Sequence, residues 1–492
     1  MVWPAVKPQI LTINDDFADV YGAWAIWPLL PRLVSKTSEF HGAEPFWLVV
    51  LQVDTIVRLD LLIEIVESKR ATERVFIGHA LVDREPTIIH HFAKALDSGG
   101  VGDEAALRFP SFAASFILSS NLVLRIHDNL AKVDRLNDFV IDPKYEFAKI
   151  VLQTCDVRLQ DDTRLCCCQR SADCATEFYG LLAEDDRDTD GTNSPDASTS
   201  ARNYNKQSQQ LCNHKMHNHD VVFAVKTFHE YHKTRVVVVR DTWAKHAANV
   251  EFFSDVFDPL IPSIEVAVNN TETGHCGKTW LIMKHFNDLL EYQDKRWLVV
   301  VDDDTLLSVT RLVSTLRCFD SSKAVIIGER YGYGFTTDGD SGYDYPTGGA
   351  AMILSRAAAA QAVAHCSCPS DDSPDDMILG MCARARNIPV ITLDSMHQAR
   401  PADYAFDYVR QQPAVSFHKH WEVDPYKVYD DWLKDSKEEE ELARVSVHGG
   451  DTRHVHVVKH DVDGQQQQQQ TADRTGERST HAESTDEAHA EL

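Results

Sequence analysis

No apolar run in this chain approaches the roughly 18 residues that a membrane-spanning helix needs. The longest, Phe46 to Val53, has only the length of a strand. Positive charge is scarce as well: Lys and Arg total 49 against 75 Asp and Glu, for a net charge of −26. That balance disfavours a protein that grips nucleic-acid backbone, which needs clustered cations. The opening residues, MVWPAVKPQILTINDDF, lack the basic and then apolar pattern of a secretory signal. No CxxC spacing accompanies Cys166, Cys167 and Cys168, which argues against a zinc site built with His214, His217 and His219. Gly274 to Thr279, GHCGKT, lacks the full spacing of a P-loop. What the chain does have is length and apolar content: 492 residues, 43% hydrophobic, enough for more than one core. Its 11 cysteines fit an oxidising compartment, and one N-glycosylation sequon begins at Asn269.

The pattern along the chain changes three times. Residues 1–153 alternate strand-like and helix-like segments. Residues 154–219 carry six cysteines and the polar run AEDDRDTDGTNSPDASTS, and read as a linker or insert. Residues 220–440 return to α/β patterning, with short β-branched runs at Val221 to Val225 and Val236 to Val239 and an apolar run at Trp297 to Val301. Residues 441–492 are acidic and glutamine-rich, cannot build a core, and end His489-Ala490-Glu491-Leu492.

An internal repeat organises the two α/β stretches. Trp47-Leu48-Val49-Val50 recurs 250 residues later as Trp297-Leu298-Val299-Val300, and Phe76-Ile77-Gly78 recurs at the same offset as Ile326-Ile327-Gly328. The segment Phe109 to Ser119 parallels Tyr345 to Ser355 in the same order. Two copies of one α/β domain are expected. They differ where chemistry would sit. The second ends its strand in Asp302-Asp303-Asp304, where the first keeps only Asp54, and it has Thr347-Gly348-Gly349 where the first has Ser111-Phe112-Ala113. One active copy and one degenerate copy follow.

Carboxylates at the carboxyl edge of an open sheet repel one another unless a cation joins them. Oxygen ligands suit Mg²⁺ or Mn²⁺, which commonly bridge substrate phosphates. An acidic turn or a helix cap is the plainer alternative. The apolar strand ahead of the three acids, and their near absence from the first copy, favour the metal. Asp375-Asp376 opens the helix-like segment PDDMILG and offers a base if it faces the metal; otherwise it is a cap. His418 and His420, in SFHKHW, each could complete a metal shell. Gly349 would let backbone approach a ligand, and Arg240 and Lys278 are candidate phosphate partners. The tyrosines of Glu329 to Gly334, ERYGYG, suggest aromatic walls for a sugar.

A strand ending in DDD, then GERYGYG, TGGA, PDDMILG, HQARP and SFHKHW, in that order, resembles the Fringe-type β1,3-glycosyltransferases. Within them it is most similar to the β1,3-glucosyltransferase type that extends O-linked fucose on thrombospondin type 1 repeats. The resemblance is strong over 220–433 and weaker over 20–150. It implies two GT-A-like, Rossmann-like nucleotide-sugar-binding domains: a degenerate one at 1–153 and a catalytic one at 220–440. It also implies UDP-glucose as donor, Mn²⁺ or another divalent ion as cofactor, and inversion at the sugar carbon. Asp302 and Asp304 then match metal positions and His418 the histidine that completes the shell. Asp302 and Asp303 fall on the donor side with Arg240, Lys278 and Gly349, and Asp376 matches the base. The implied partners are O-fucosylated thrombospondin repeats and a nucleotide sugar, with neither nucleic acid nor an integral membrane span. The HAEL ending is similar to the family's ER-retrieval ending, so the ER lumen is expected, with the true N-terminus missing from this sequence. A Fringe-like N-acetylglucosaminyltransferase, a core-1-type β1,3-galactosyltransferase and a carbohydrate-binding quality-control factor are the alternatives.

Overall fold

A computed structural model describes residues 8–83, 87, 89–90, 107–178, 212 and 214–435, apart from 43, 134–137, 168–170, 269, 272–273 and 421. The tail at 441–492 with its HAEL ending, most of the 154–219 insert, and Asn269 lie outside the described residues.

Two sheets carry the repeat. The first half of the chain forms β1 (Trp47–Val50), β2 (Phe76–Gly78), β3 (Phe116–Ser119) and β4 (Gln160–Asp161). Their spatial order is β1-β3-β2-β4. The second half forms β5 (Val221–Lys226), β6 (Val250–Ser254), β7 (Ile264–Glu265), β8 (Trp297–Asp302), β9 (Ile326–Gly328), β10 (Met352–Ser355) and β11 (Val390–Thr392), in the order β7-β6-β5-β8-β10-β9-β11. The last four strands of that sheet repeat the first sheet in order, direction and register. Trp47 faces Ser119 as Trp297 faces Ser355, and Ile77 faces Ile117 as Ile327 faces Ile353. In each half the outermost strand returns parallel.

The central strands are apolar on both faces because both faces are covered. From β5 and β8, Phe223, Val225, Val299 and Val301 join one core, while Val222, Ala224, Leu298 and Val300 join another. The first core continues into the opposite half through Trp27, Phe76 and Phe116, so the two halves share buried surface. The second core is closed by α-helices at Cys276–Asp288, Arg356–His365 and Asp375–Arg386. Disulfides Cys276–Cys368 and Cys366–Cys382 pin the first and third of these to the loop that joins the second and third. Cys212–Cys318 and Cys166–Cys174 are also joined.

Residues 154–178 differ from the expected linker. Gln160–Asp161 pairs with β2, and Thr176–Phe178 pairs with Thr55–Val57, so this stretch belongs to the first half. Its polar sequence hid short strands, and the disulfide Cys166–Cys174 closes the turn between Leu165–Cys166 and Thr176–Phe178. Aromatic walls at ERYGYG are likewise not open. Tyr333 packs edge-on against Phe139 with ring centroids 4.9 Å apart, and Tyr331 is buried. Phe139–Val140 of the first half adds to the strand Arg330–Tyr333, with Gly332 opposite Val140 and Tyr333 opposite Phe139. Tyr333 therefore packs on the other half of the chain, and Tyr331 packs on Tyr345 of its own half. Among the described residues no helix is long and apolar enough to cross a membrane.

Candidate active site

The order of the seven strands reverses at β5. From it, β6 and β7 run to one side and β8 to the other, and the crevice beyond such a reversal is where open α/β sheets bind ligands. Register puts Lys226, the last residue of β5, beside Asp302, the last of β8.

After β8 the chain turns through Asp303 and Asp304 into a short strand, Thr305–Leu307, which pairs antiparallel with Ser416–His418 and sets Thr305 opposite His418. The histidine therefore lands on the acids from more than 100 residues away. Its Nε2 lies 2.9 Å from Asp304 Oδ1 and 3.7 Å from Asp302 Oδ2. Nδ1 donates to the Gln398 carbonyl at 2.9 Å, which fixes the ring and leaves Nε2 aimed at the acids. One ligand atom each from Asp302, Asp304 and His418 fall within 4.8 Å of one another. Gly349 is needed beside them, because a Cβ there would overlap the His418 ring. Two carboxylates and one imidazole are a donor set that suits Mn²⁺, and the preset tautomer and the glycine leave that set clear. Of the two histidines in SFHKHW, His418 is thus the one in the cluster.

The electrostatics follow from enclosure. Burial disfavours charge on His418, but Asp304 and Asp302 outweigh it and raise its pKa. Burial would likewise raise Asp304, yet His418 and Arg235 hold it below the usual carboxylate range. Asp303 faces the other way. It accepts from Thr227 Oγ1 at 2.7 Å and from Arg235 at 3.2 Å, and burial pushes its pKa up to about 6.

Two cations at the acids had no distinct signal in the sequence. Lys226 is 5% exposed and bridges Asp302 at 3.1 Å and Asp375 at 2.7 Å. Burial opposes its charge, but both carboxylates outweigh that and raise its pKa. A lysine closing an otherwise apolar strand was the available clue. Arg235 reaches Asp303 and, at 3.1 Å, Asp304, while lying 3.9 Å over the Tyr231 ring. Arg240, expected on the donor side, instead donates to the Leu260 carbonyl at 2.9 Å. Both arginines lie in the sequence RVVVVRD, and only the packing of that helix, Arg235–Asp241, tells them apart.

Asp375 and Asp376 open the helix Asp375–Arg386. Asp375 is spent on Lys226 and on Thr279 Oγ1, 2.6 Å away. For Asp376, burial and the neighbouring Asp375 charge outweigh Lys226 and raise its pKa to about 7. A carboxylate poised there can accept a proton near neutral pH. Lys278 donates to the Thr227 carbonyl at 2.7 Å, and burial together with Lys226 lowers its pKa. The acids, His418, Gly349 and Lys278 are thus assembled at one sheet edge, and Arg240 is turned to a neighbouring loop.

Residues 216–439 match the family model described as Fringe-like. A human protein named β-1,3-glucosyltransferase is 37% identical over 435 residues, covering 88% of this chain and 79% of that protein. The mouse protein of the same name is 36% identical over 437 residues, covering 88% and 80%. Human β-1,3-N-acetylglucosaminyltransferase manic fringe is 29% identical over 120 residues, covering 23% of this chain and 37% of its own.

Proposed function

Given that this chain belongs to the Fringe-like β1,3-glycosyltransferases, which are hexosyltransferases, we propose that it transfers glucose from UDP-glucose to the 3-hydroxyl of O-linked fucose on thrombospondin type 1 repeats. The observation that carries this reading is the convergence of Asp302, Asp304 and His418 beside a half-buried Asp376 whose pKa is raised to about 7. In this reading residues 220–440 are the catalytic domain and the first half is its degenerate copy.

Asp302, Asp304 and His418 would hold Mn²⁺, whose positive charge makes the diphosphate a better leaving group. Asp376 accepts the proton of the acceptor hydroxyl as that oxygen attacks the anomeric carbon opposite the departing UDP. One displacement from an α-linked donor gives a β1,3 bond. Lys226 holds Asp302 and Asp375 in fixed positions, and by occupying Asp375 it leaves Asp376 as the available base. Arg235 balances the charge of Asp303 and Asp304. Four disulfides among the described cysteines support an oxidising compartment such as the ER lumen.

The test is transfer by the purified chain with Mn²⁺, a panel of UDP-sugars and an O-fucosylated thrombospondin repeat, read by mass spectrometry. Hexose added from UDP-glucose alone, and lost in Asp376→Asn, is the expected result. Addition of N-acetylhexosamine, or of hexose from UDP-galactose, would assign a sibling activity. No transfer from any donor refutes the proposed reaction.

A further inference from the structure

We infer that the first half of the chain helps to set the metal histidine of the second, with Lys144 and Glu329 as positioning residues that act on His418 through Gln398. The inference rests on the reading of Asp302, Asp304 and His418 as a metal site.

The chain of contacts starts at His418. Its ring is oriented by the Gln398 carbonyl at 2.9 Å, and its backbone N–H donates to the Ala399 carbonyl at 3.3 Å. Peptides 398 and 399 therefore grip the histidine twice. Both are held by Glu329. The Gln398 N–H donates to the Glu329 carboxyl. Tyr404 also donates its hydroxyl to that carboxyl, at 3.2 and 3.1 Å, and the same hydroxyl accepts the Ala399 N–H at 3.2 Å. The Gln398 side chain adds a third tie, accepting the Ala350 N–H at 3.0 Å next to Gly349. Groups that orient a metal-binding histidine commonly alter metal affinity although they never touch the metal.

The first half enters through the helix Pro143–Cys155. Asp142 caps that helix and pairs with Lys144 at 3.0 Å. The other oxygen of Asp142 meets His90 at 2.9 Å; His90 in turn pairs with Asp83 at 2.6 Å and stacks on Tyr145. Lys144 is thus held by its ammonium, with only 12% of its side chain exposed. Its ammonium lies 4.2 Å over the ring of Tyr408, which packs with Tyr404 and His397. The Lys144 ammonium of the first half is thereby linked to the Glu329 carboxyl through the packed rings of Tyr408 and Tyr404, whose hydroxyl donates to it.

The edge of the first sheet gives the same direction. Gln52, at the position of Asp302 in the repeat, donates to Asp394 of the second half at 3.1 Å. Ser111, at the position of Thr347, accepts from Gln411 at 2.8 Å. In the second half Asp302 joins the metal cluster, whereas in the first half both positions are spent on the contact between halves. The degenerate copy has exchanged a ligand edge for a brace.

The test uses the full chain and Mn²⁺, following the electron paramagnetic resonance signal of unbound Mn²⁺ in the presence of UDP. Glu329→Ala and Lys144→Met are expected to weaken Mn²⁺ binding by about 10-fold or more, the usual consequence of losing an orienting partner. Glu329→Gln still accepts from Gln398 and Tyr404, and should recover most of the loss. In a His418→Ala background neither substitution should weaken binding further, because the histidine they act through is gone. If Lys144→Met does not fold, Lys144→Gln takes its place. Wild-type affinity in Glu329→Ala and in the Lys144 variant overturns the inference. So does an equal loss in the His418→Ala background, which a merely structural role would produce. Failure of the wild-type chain to bind Mn²⁺ overturns the metal reading along with the inference, and the wild-type titration alone identifies that case.

Discussion

The base at Asp376 makes a prediction about the shape of the pH profile. Burial and the neighbouring Asp375 hold its pKa at about 7, against 3.8 for an ordinary aspartate. A general base works only when ionised, so kcat should rise with pH through that value and level off above it. At pH 6 only about a tenth of the molecules would carry the ionised base, and at pH 8 about nine tenths. A free aspartate would give no such limb in this range. Asp375→Asn removes the like charge, keeps an acceptor for Thr279, and leaves Lys226 paired with Asp302. If the lost repulsion is worth about 1.4 kcal/mol, the limb moves one unit toward acid. Normalised to its own plateau, the variant should then be about fivefold more active than wild type at pH 6. The assay is UDP release at saturating donor, acceptor and Mn²⁺, between about pH 5.5 and 8.5, a window that brackets the base. A flat wild-type profile refutes the base assignment. A limb that stays in place in Asp375→Asn refutes the claim that Asp375 helps to raise it.

Asp304→Ala should abolish Mn²⁺ binding measured by calorimetry in the presence of UDP, because it removes one acid of the trio and the close partner of His418. Gly349→Ala places a methyl against the His418 ring and should weaken Mn²⁺ at least about tenfold by displacing that ring. Lys226→Met strands Asp375 and Asp302 and should cost about 3–5 kcal/mol in urea unfolding, as broken buried pairs do; wild-type stability would show that the pair is dispensable. The double change Cys276→Ser with Cys368→Ser opens a loop of 92 residues and should lower stability by about 2–4 kcal/mol. Because that bridge ties the helix carrying Lys278 to the approach to Asp375, kcat should fall as well.

Much of the site was legible because its parts are local. An apolar run ending in three acids describes a buried strand reaching a sheet edge, and Asp375-Asp376 ahead of MILG describes the start of a helix; both are where expected. The repeat could be read because core strands keep their residues, and the Trp47 and Trp297 strands share order and register. The expected linker was misread at 154–178 because strands of two or three residues carry no long apolar run. The choice of Arg235 over Arg240 depends on how one short helix is rotated against the Asp303 turn.

The sequence by itself determined the sheet cores, the duplicated order of strands and the carboxylates at the edge, since hydrophobic period and residue type act over a few neighbours. Only the tertiary structure decided how His418, singled out by the family resemblance, reaches Asp302 and Asp304, and that Lys226 spans Asp302 and Asp375. It also decided that the edge of the first half is closed by Asp394 and Gln411. Those pairings join residues from tens to hundreds of positions apart, and their partners are fixed by strand register and by packing between the halves.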